Sequence, residues 1–580
     1  MHTTLRFTQG QAQGNGTLLV FVDSAKSTEH VFLNEEIFSA LDHLRMPYQV
    51  LDLAKAPFPS DLSTHSGILV AQEKVCGSLS LSQVRRIGQA VEQGAGLINL
   101  DPFIADCPPI LKMFARSVLS GSKETAPAAA LTVTEQGHYV IGTQEAGAVK
   151  SLVKPVDMGG AVEMGDEAQP LLNTQEGDPA LIVGRFRDGK IVQWMLSPKL
   201  WLNQVFGHAN GLDDVFWKSI VWAAGKPFVM MAMPPFVTAR VDDAVGSHSH
   251  FGYIEIFNRH GIIPAIGLFM DEVAEEDVAA LRRYVEAGRV ECGAHAFAYD
   301  DLVLYDYHKG PYTQEQVDRN LRKVDEQFRR WGIVPARTVN AHYCEWGSNS
   351  LAGLSARGQT FAMGWRLPDE LALGLHRDWK PAPYGHLGYV FDALPDCPEM
   401  YVVLSTPGGR FENRVYLPDG AHFVLTRGAY KEDVDVLWRH TTFRNESPVN
   451  DIEGAAHAAA RQIRLGLDNR FFGCFTTHEQ RLSALSLEQF DALLTRVDEL
   501  TAGYDKIYRG YDDIARYALN RSRVHIARFD CDPKSGEGTV RLEGVSEVPL
   551  QLYVFTEDGA EIREAFVDVP PFEGRCEVRG

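Results

Sequence analysis

Apolar runs alternate with amphipathic stretches over the first 230 residues. TLLVFVD (17–23), GILVAQ (67–72) and GAGLINLD (94–101) have the length and composition of buried strands. Helical patterns, NEEIFSALDHLR and LSLSQVRRIGQAVEQG, lie between them. This alternation predicts a parallel sheet wound by right-handed crossovers. Further along, PALIVGRFRDGKIVQWML predicts a β-hairpin around Asp188 and Gly189.

The same alternation continues after MAMPPF (231–236), which has the composition of a linker. FVTARVDD, IIPAIGLF, RVECGAH, PARTVNAH and QTFAMGW are strand-like and are separated by helical patterns. Repeated β–α units predict a partial or complete (β/α) barrel, whose active site lies at the carboxyl ends of the strands. One helix is marked by a capping box of Thr313 and Gln316. Its apolar face is formed by Val317, Leu321, Val324, Phe328 and Trp331.

The last part alternates with a period of two in TVRLEGV, PLQLYVFTEDGAEI and EAFVDV. This pattern predicts a small antiparallel β-sandwich. We therefore predict an α/β protein of three domains, an N-terminal parallel-sheet domain at 1–230, a central barrel at 231–515 and an accessory sandwich at 516–580.

Composition narrows the classes of function. The chain has 580 residues, 45% of them hydrophobic and 23% charged, as in folded globular proteins. A formal charge of −20 argues against nucleic-acid binding, and no apolar run is long enough to predict a membrane span. MHTTLRFTQGQAQGNG has no pattern of a secretory signal. We expect a cytoplasmic location, or a periplasmic or extracellular one if a signal was removed; the oligomeric state stays open.

Eight cysteines are scattered along the chain without a CxxC pair, which disfavours a structural zinc knuckle. Only Cys531 and Cys576 share a small terminal segment and are candidates to pair. Free, buried thiols are the expected state in a reducing compartment.

Two adjacent aspartates, Asp242 and Asp243, end the strand-like run FVTARVDD. Two carboxylates so placed repel each other unless a cation or a shared proton lies between them. The alternative is a helix cap or an Asx turn. His295 and His478 also end strand-like runs, where they are either functional groups or hydrogen-bonded core histidines.

The first part resembles the class I glutamine-amidotransferase-like (flavodoxin-type) fold over roughly residues 15–226. After GAGLINL, where a nucleophilic cysteine turn would be sought, the chain has Asp101 and Pro102. The resemblance therefore implies a non-catalytic domain with a structural or substrate-positioning role.

The second part resembles the polysaccharide deacetylase (NodB-like) family of the glycoside hydrolase/deacetylase superfamily. The motifs that carry the likeness are, in order, VDD, YIEIFNRHGIIPAIGLF, EAGRVECGAHAFAYDD, CEWGSNSLAGLSARGQTFAMGW and FFGCFTTHEQ. The resemblance implies that Asp242 is the catalytic base, Asp243 and His295 bind a divalent metal, and His478 is the general acid. Zinc is the metal we expect first.

The chain departs from the family at the third metal ligand. The family has a second histidine four residues after the first, whereas this chain has Tyr299. A phenol with a pKa near 10 is a poor ligand at neutral pH. His248 and His342 are the first candidates to replace it, and Asp300 is a further one.

A second departure concerns the arginine that orients the base in the family. Arg240 lies two residues before Asp242 and therefore on the same face of the strand. Glu345 adds a carboxylate that is either a surface residue or an acid/base partner of Asp242, as in a glycosidase. Glu479 is placed to orient His478. The candidate substrate-binding residues are Arg240, Tyr299 and Trp346.

We therefore predict a hydrolase with a carbohydrate substrate. The leading hypothesis is a metal-dependent deacetylase of an acetylated amino sugar or polysaccharide. A glycoside hydrolase that uses Asp242 or Asp243 with Glu345, and a non-catalytic carbohydrate-binding protein, are the alternatives.

Overall fold

The computed structural model describes residues 12–118, 125–135, 137–160, 163–202, 205–208, 211–247, 249–306, 310–342, 348–364, 393–394, 397–404, 414–416, 423–425, 451–532 and 535–579. The contacts divide the chain into two compact units. Unit 1 consists of Met1–Ala232 together with Asn520–Gly580, and unit 2 of Met233–Leu519. The strands are numbered along the whole chain. Unit 1 thus takes in both ends of the chain, so 516–580 does not form a third unit, and the exact domain boundaries stay predictions.

Unit 1 contains a nine-stranded sheet in the order β2-β1-β3-β4-β9-β8-β7-β5-β6. The strands are β1 Leu18–Val22, β2 Tyr48–Asp52, β3 Gly67–Val70, β4 Gly96–Asn99, β5 Ala128–Val133, β6 Val149–Val156, β7 Gln169–Thr174, β8 Pro179–Phe186 and β9 Gly189–Trp194. The first five in spatial order are parallel and the remaining pairs antiparallel. The hairpin predicted around Asp188 and Gly189 is confirmed by β8 and β9.

The helices of unit 1 span Ser27–His30, Ser39–Leu44, Leu81–Glu92, Pro108–Met113 and Asp213–Ala223. The second and the third of them lie within the predicted helical patterns. A capping box of Ser80 and Gln83 begins the third of them. The likeness to the amidotransferase fold stays a prediction.

The C-terminal strands form two three-stranded antiparallel sheets, β10-β26-β27 and β24-β25-β28. They are β10 Phe228–Met230, β24 Val524–Cys531, β25 Gly538–Ser546, β26 Leu550–Asp558, β27 Glu561–Val569 and β28 Phe572–Arg579. One sheet takes its edge strand from before the central part, so these strands do not form a body of their own. Cys531 and Cys576 are free thiols, but they are half-buried and not buried as expected. The closed sandwich stays a prediction.

Unit 2 contains two sheets with parallel strands. One has the order β13-β12-β11-β22, with β23 also paired to β11, and the other the order β16-β17-β19-β18. The strands are β11 Phe236–Ala244, β12 Pro264–Phe269, β13 Glu291–Ala296, β16 Thr338–Val339, β17 Phe361–Gly364, β18 Ala393–Leu394, β19 Cys397–Leu404, β22 Gly473–His478 and β23 Ile507–Tyr508. Two short pairs are β14 Tyr305–Asp306 with β15 Gly310–Pro311, and β20 Arg414–Tyr416 with β21 Phe423–Leu425. Closure into a barrel stays a prediction.

The following helices of unit 2 contribute buried apolar residues to its core: Tyr253–Arg259, Glu275–Glu286, Gln314–Trp331, Ser348–Ser355, Ile452–Asp468, Glu479–Leu482 and Leu487–Leu500. A further helix, Tyr511–Ser522, begins in unit 2 and ends in unit 1. The helix predicted from Thr313 is confirmed with its capping box and its five buried apolar residues. Over the described part of the chain, no helix is long and apolar enough to cross a membrane.

Candidate active site

The two aspartates lie at the end of β11, which is buried along its whole length. β11 pairs with β12 on one side and β22 on the other. Its register with β12 shifts between Val241 and Ala244, and Asp243 has a φ of 55°. A β-bulge re-aims a side chain, and aspartate tolerates the left-handed conformation better than most residues other than glycine. Consecutive aspartates therefore contact different partners.

Asp243, His295 and His342 form a buried cluster. Each offers one ligand atom, and these atoms lie within 4.8 Å of one another. The distance from Asp243 Oδ1 is 3.2 Å to His295 Nε2 and 3.5 Å to His342 Nε2. The three residues are 5%, 2% and 6% exposed. One carboxylate oxygen with two imidazole nitrogens is a ligand set that zinc accepts.

A hydrogen bond sets the tautomer of His295. Its Nδ1 lies 2.7 Å from the backbone oxygen of Asn340. Because a carbonyl oxygen only accepts, Nδ1 carries the proton, and the Nε2 of a neutral imidazole presents its lone pair to Asp243 Oδ1. That oxygen is buried and accepts no hydrogen bond. Two buried lone pairs that face each other require a proton or a cation between them, so the residues fit a divalent metal.

His342 supports the same interpretation. Burial first, and then the neighbouring His295, lower the pKa of His342 to about 3, against the opposite effect of Asp243. The imidazole is therefore neutral at physiological pH, which is the form that binds a metal. The rings of His295 and His342 lie 4.8 Å apart, and that of Phe269 contacts both.

Asp242 is held by two neighbours. Arg240 donates to both of its oxygens, from Nε to Oδ1 and from Nη2 to Oδ2, each at 2.7 Å. Asn340 Nδ2 donates to Oδ1 at 2.8 Å. Burial opposes ionisation of Asp242, but Arg240 and the nearby imidazoles lower its pKa to about 2. Asp242 is therefore an anion at neutral pH.

The pairing of Arg240 with Asp242 agrees with the strand period, and the contact of Arg240 with substrate stays a prediction. The Arg240 side chain is fully buried. A guanidinium that donates to both oxygens of a carboxylate holds that carboxylate in position.

His478 ends β22 and is the register partner of Asp242 on β11. Glu479 follows it and was expected to orient the His478 ring. The hydrogen bonds that the structure gives for its carboxylate are made to other groups. Its carboxylate accepts from the backbone N–H of Val245 at 2.6 Å and of Gly246 at 3.0 Å. Gln480 Nε2 donates to Asp243 Oδ2 at 3.0 Å.

Three residues at this site were missed in the sequence: Asn340, Gln480 and Gly267. A Cβ on Gly267 would lie 2.8 Å from Asn340 Nδ2 and 2.8 Å from His295 Nδ1, so the close approach of β12 requires glycine. The signal available was a glycine inside a strand-like run and an asparagine two residues before His342. Neither identifies a partner.

The other candidates lie at the edge of the site or outside the described residues. The Tyr299 ring is edge-on to His342 at 5.5 Å, and the residue is 48% exposed. Asp300 is exposed. His248, Glu345 and Trp346 lie outside the described residues.

No protein-family model matches the sequence, and no curated protein matches it significantly. Among similar solved structures is a family 4 carbohydrate esterase from Streptomyces lividans in complex with acetate (13% identity, TM-score 0.26, 48% of this chain and 93% of that chain). Another, from Mycobacterium smegmatis, is assigned as a polysaccharide deacetylase (13% identity, TM-score 0.32, 49% and 91%). A third is the chitin deacetylase of Colletotrichum lindemuthianum (12% identity, TM-score 0.28, 49% and 89%). These similarities are too low to establish a function, which has to be argued from the residues.

Proposed function

We propose that the chain is a metal-dependent hydrolase that removes acetyl groups from an acetylated amino sugar or polysaccharide. The observation that carries the proposal is the buried group of Asp243 Oδ1, His295 Nε2 and His342 Nε2 beside the anionic Asp242. The acetylated carbohydrate as substrate rests on the ordered motifs that resemble the deacetylase family.

A divalent cation held by these three residues would lower the pKa of water and polarise an amide carbonyl. Asp242 would take the proton of the attacking water. Oδ1 of Asp242 already accepts two hydrogen bonds and Oδ2 accepts one, so Oδ2 keeps a lone pair for that proton. His478, opposite Asp242 in the sheet register, would protonate the leaving amine.

We assign the third metal ligand to His342, which stands in for the histidine that the family has at the position of Tyr299. The Nε2 atom of His342 is 3.5 Å from Asp243 Oδ1. This set takes its ligands from three separate segments of the chain. Tyr299, half exposed beside the His342 ring, would then contact substrate.

The glycosidase alternative needs one carboxyl group that is protonated at neutral pH. Asp242 does not meet this requirement, because its pKa is lowered to about 2. The acid would have to be Glu345, which lies outside the described residues. No contact among the described residues favours this alternative.

Metal content and acetate release test the proposal together. Purified protein is expected to hold about one zinc per chain and to release acetate from N-acetylglucosamine oligomers. Asp243→Ala and His295→Ala should lose both properties. Asp300→Ala removes an exposed carboxylate five residues after His295 and should keep both.

The proposal would be overturned if the wild-type protein held no metal. It would also be overturned if Asp243→Ala and His295→Ala both held as much metal as the wild type. Release of reducing ends without acetate would favour the glycosidase. Binding of the oligomers without any turnover would favour a carbohydrate-binding protein.

A further inference from the structure

Glu479 is a buried carboxylate between two residues of the candidate site, His478 and Gln480. It is 1% exposed. Oε2 accepts from the N–H of Val245 at 2.6 Å, Gly246 at 3.0 Å and Ser247 at 3.3 Å, and Oε1 lies 3.1 Å from the Gly246 nitrogen. Three successive backbone donors thus converge on one side chain, as in an anion-binding nest.

The segment that Glu479 holds follows the bulge at Asp243 directly. β11 ends at Ala244, so the next N–H groups have no strand partner in the ladder. Buried N–H groups require an acceptor, and Glu479 supplies it. Gly246 has a φ of 86°, and a Cβ there would lie 2.9 Å from Asp277 Oδ2. The path of this segment therefore depends on Gly246 and on Glu479.

The neighbours of Glu479 act on the same site. His478 is the register partner of Asp242, and Gln480 donates to Asp243 Oδ2. His478, Glu479 and Gln480 thus follow one another at the end of β22. Each of them pairs with, or hydrogen-bonds to, a residue at or just after the end of β11. A shift of Glu479 would move the backbone on which Asp243 depends for its left-handed conformation.

We propose that Glu479 is a positioning residue, which fixes the backbone after Asp243 and so sets the distance between Asp243 Oδ1 and the two imidazoles. The proposal rests on the proposed function, because it assigns Asp243 as a metal ligand. Burial raises the pKa of Glu479 to about 7 against the opposing effect of the Val245 N–H and Tyr253. Burial of this carboxylate costs more free energy than burial of a neutral amide at the same position.

The test compares Glu479→Gln with wild type in the full chain. The variant keeps one acceptor oxygen but replaces the other with a donor, which faces the N–H groups of 245–247. We expect zinc affinity, measured by competition with a chelator, to fall about 10- to 100-fold, as for other groups that orient a metal ligand. The visible spectrum of the cobalt-substituted protein should also change, because the Asp243 oxygen moves.

Glu291→Gln is the matched control. Glu291 is half-buried, accepts from the backbone N–H of Asp512 at 3.0 Å, and has a pKa raised to about 8 by burial and by Asp512. It begins β13, four residues before His295. A loss of stability alone would be similar in both variants, whereas the zinc affinity and the cobalt spectrum should change only in Glu479→Gln.

A folded Glu479→Gln variant with wild-type zinc affinity and cobalt spectrum would overturn the inference and leave the proposed function in place. A wild-type protein that binds no metal would overturn both. If Glu479→Gln does not fold, hydrogen exchange of the backbone amides in the wild-type protein tests the inference instead. Slower exchange at 245–247 on adding zinc supports the coupling, and unchanged exchange contradicts it.

Discussion

The parallel sheets of the two units both bring buried polar residues to the carboxyl ends of their strands, with opposite chemical results. In unit 1, Asp101 lies just after β4 and accepts from the backbone N–H of Lys74 at 2.8 Å, Cys76 at 2.8 Å and Phe103 at 3.0 Å. In unit 2, Asp243 Oδ1 accepts no hydrogen bond and faces two imidazole nitrogens.

The two strand ends differ in whether their polar atoms are available to bind a ligand. Nearby in unit 1, Gln72 accepts from the Asp23 N–H and donates to backbone oxygens, and Glu73 binds Ser197 and Lys199. The polar groups of Gln72 and Glu73 are therefore hydrogen-bonded within the protein. In unit 2 the acceptor atoms of Asp243 and the two imidazoles face one another, which is unfavourable unless a proton or a cation lies between them. A shared architecture therefore places polar residues at an edge, and their local partners decide whether the edge is a site.

The largest effect is expected from neutralising the central carboxylate in each unit. Asp243→Asn should weaken zinc binding by more than about 100-fold, because a ligand is lost and not only an orienting group. Asp101→Asn should leave zinc binding unchanged and lower the free energy of unfolding by about 1–3 kcal/mol through its unmade hydrogen bonds. Chelator competition and denaturant unfolding measure the two quantities. Weaker zinc binding in Asp101→Asn would remove the contrast.

A strand glycine in each unit provides the next test. Gly267→Ala would place a methyl group 2.8 Å from His295 Nδ1, whereas the nearest atom for Gly67→Ala is the flexible Leu18 Cδ2 at 3.2 Å. We expect Gly267→Ala to lose about 1–3 kcal/mol of stability by overpacking and about 10-fold in zinc affinity. Gly67→Ala should keep wild-type zinc affinity. Equal zinc affinity in both variants would contradict the close packing at His295.

The stability of metal-free protein should depend on pH with opposite sign at the two aspartates. The pKa of Asp242 is lowered to about 2, so its contribution is present above pH 4 and is lost as the pH falls towards 2. This loss amounts to about 2 kcal/mol. Burial raises the pKa of Asp101, so its contribution is present at low pH and is lost as the pH rises through its folded value.

Unfolding of wild type, Asp242→Asn and Asp101→Asn between pH 2 and pH 6 checks these signs. Asp242→Asn should flatten the loss of stability below pH 4. Asp101→Asn should flatten the loss of stability that accompanies a rise in pH. The same dependence of stability on pH in both variants would contradict the opposite signs assigned to the two aspartates.

The smallest effect is expected from exposed residues. Tyr299→Ala should raise the KM for an acetylated oligosaccharide by about 3- to 10-fold, consistent with about 1 kcal/mol of aromatic contact, and leave kcat within about twofold. Val334→Ala, at a residue 80% exposed, is the control and should change neither. A fall in kcat with unchanged KM in Tyr299→Ala would point to a role in the reaction itself.

Local patterns were enough for the helices and the hairpin. The capping box at Thr313, the apolar face ending at Trp331, and the turn at Asp188 and Gly189 are all present as predicted. These features depend on residues a few positions apart, which the sequence displays directly.

The site was predictable only in part. Asp242, Asp243, His295 and His478 could be named as candidates because each ends a strand-like run in a recognisable order. Asn340 and Gln480 were not, because their partners lie 98 and 237 positions away. The sequence left His342 as one of several candidates.

The residue types at the ends of the strands could be read from the sequence alone, because strand period and motif order are local properties. Tertiary structure decided which of them meet. The register shift in β11 gives Asp243 its own partners, and the backbone oxygen of Asn340 sets the tautomer of His295. Arg240 donates to both oxygens of Asp242 and so supports that carboxylate. These outcomes depend on distances between separate strands, and such distances are fixed only when the strands pack.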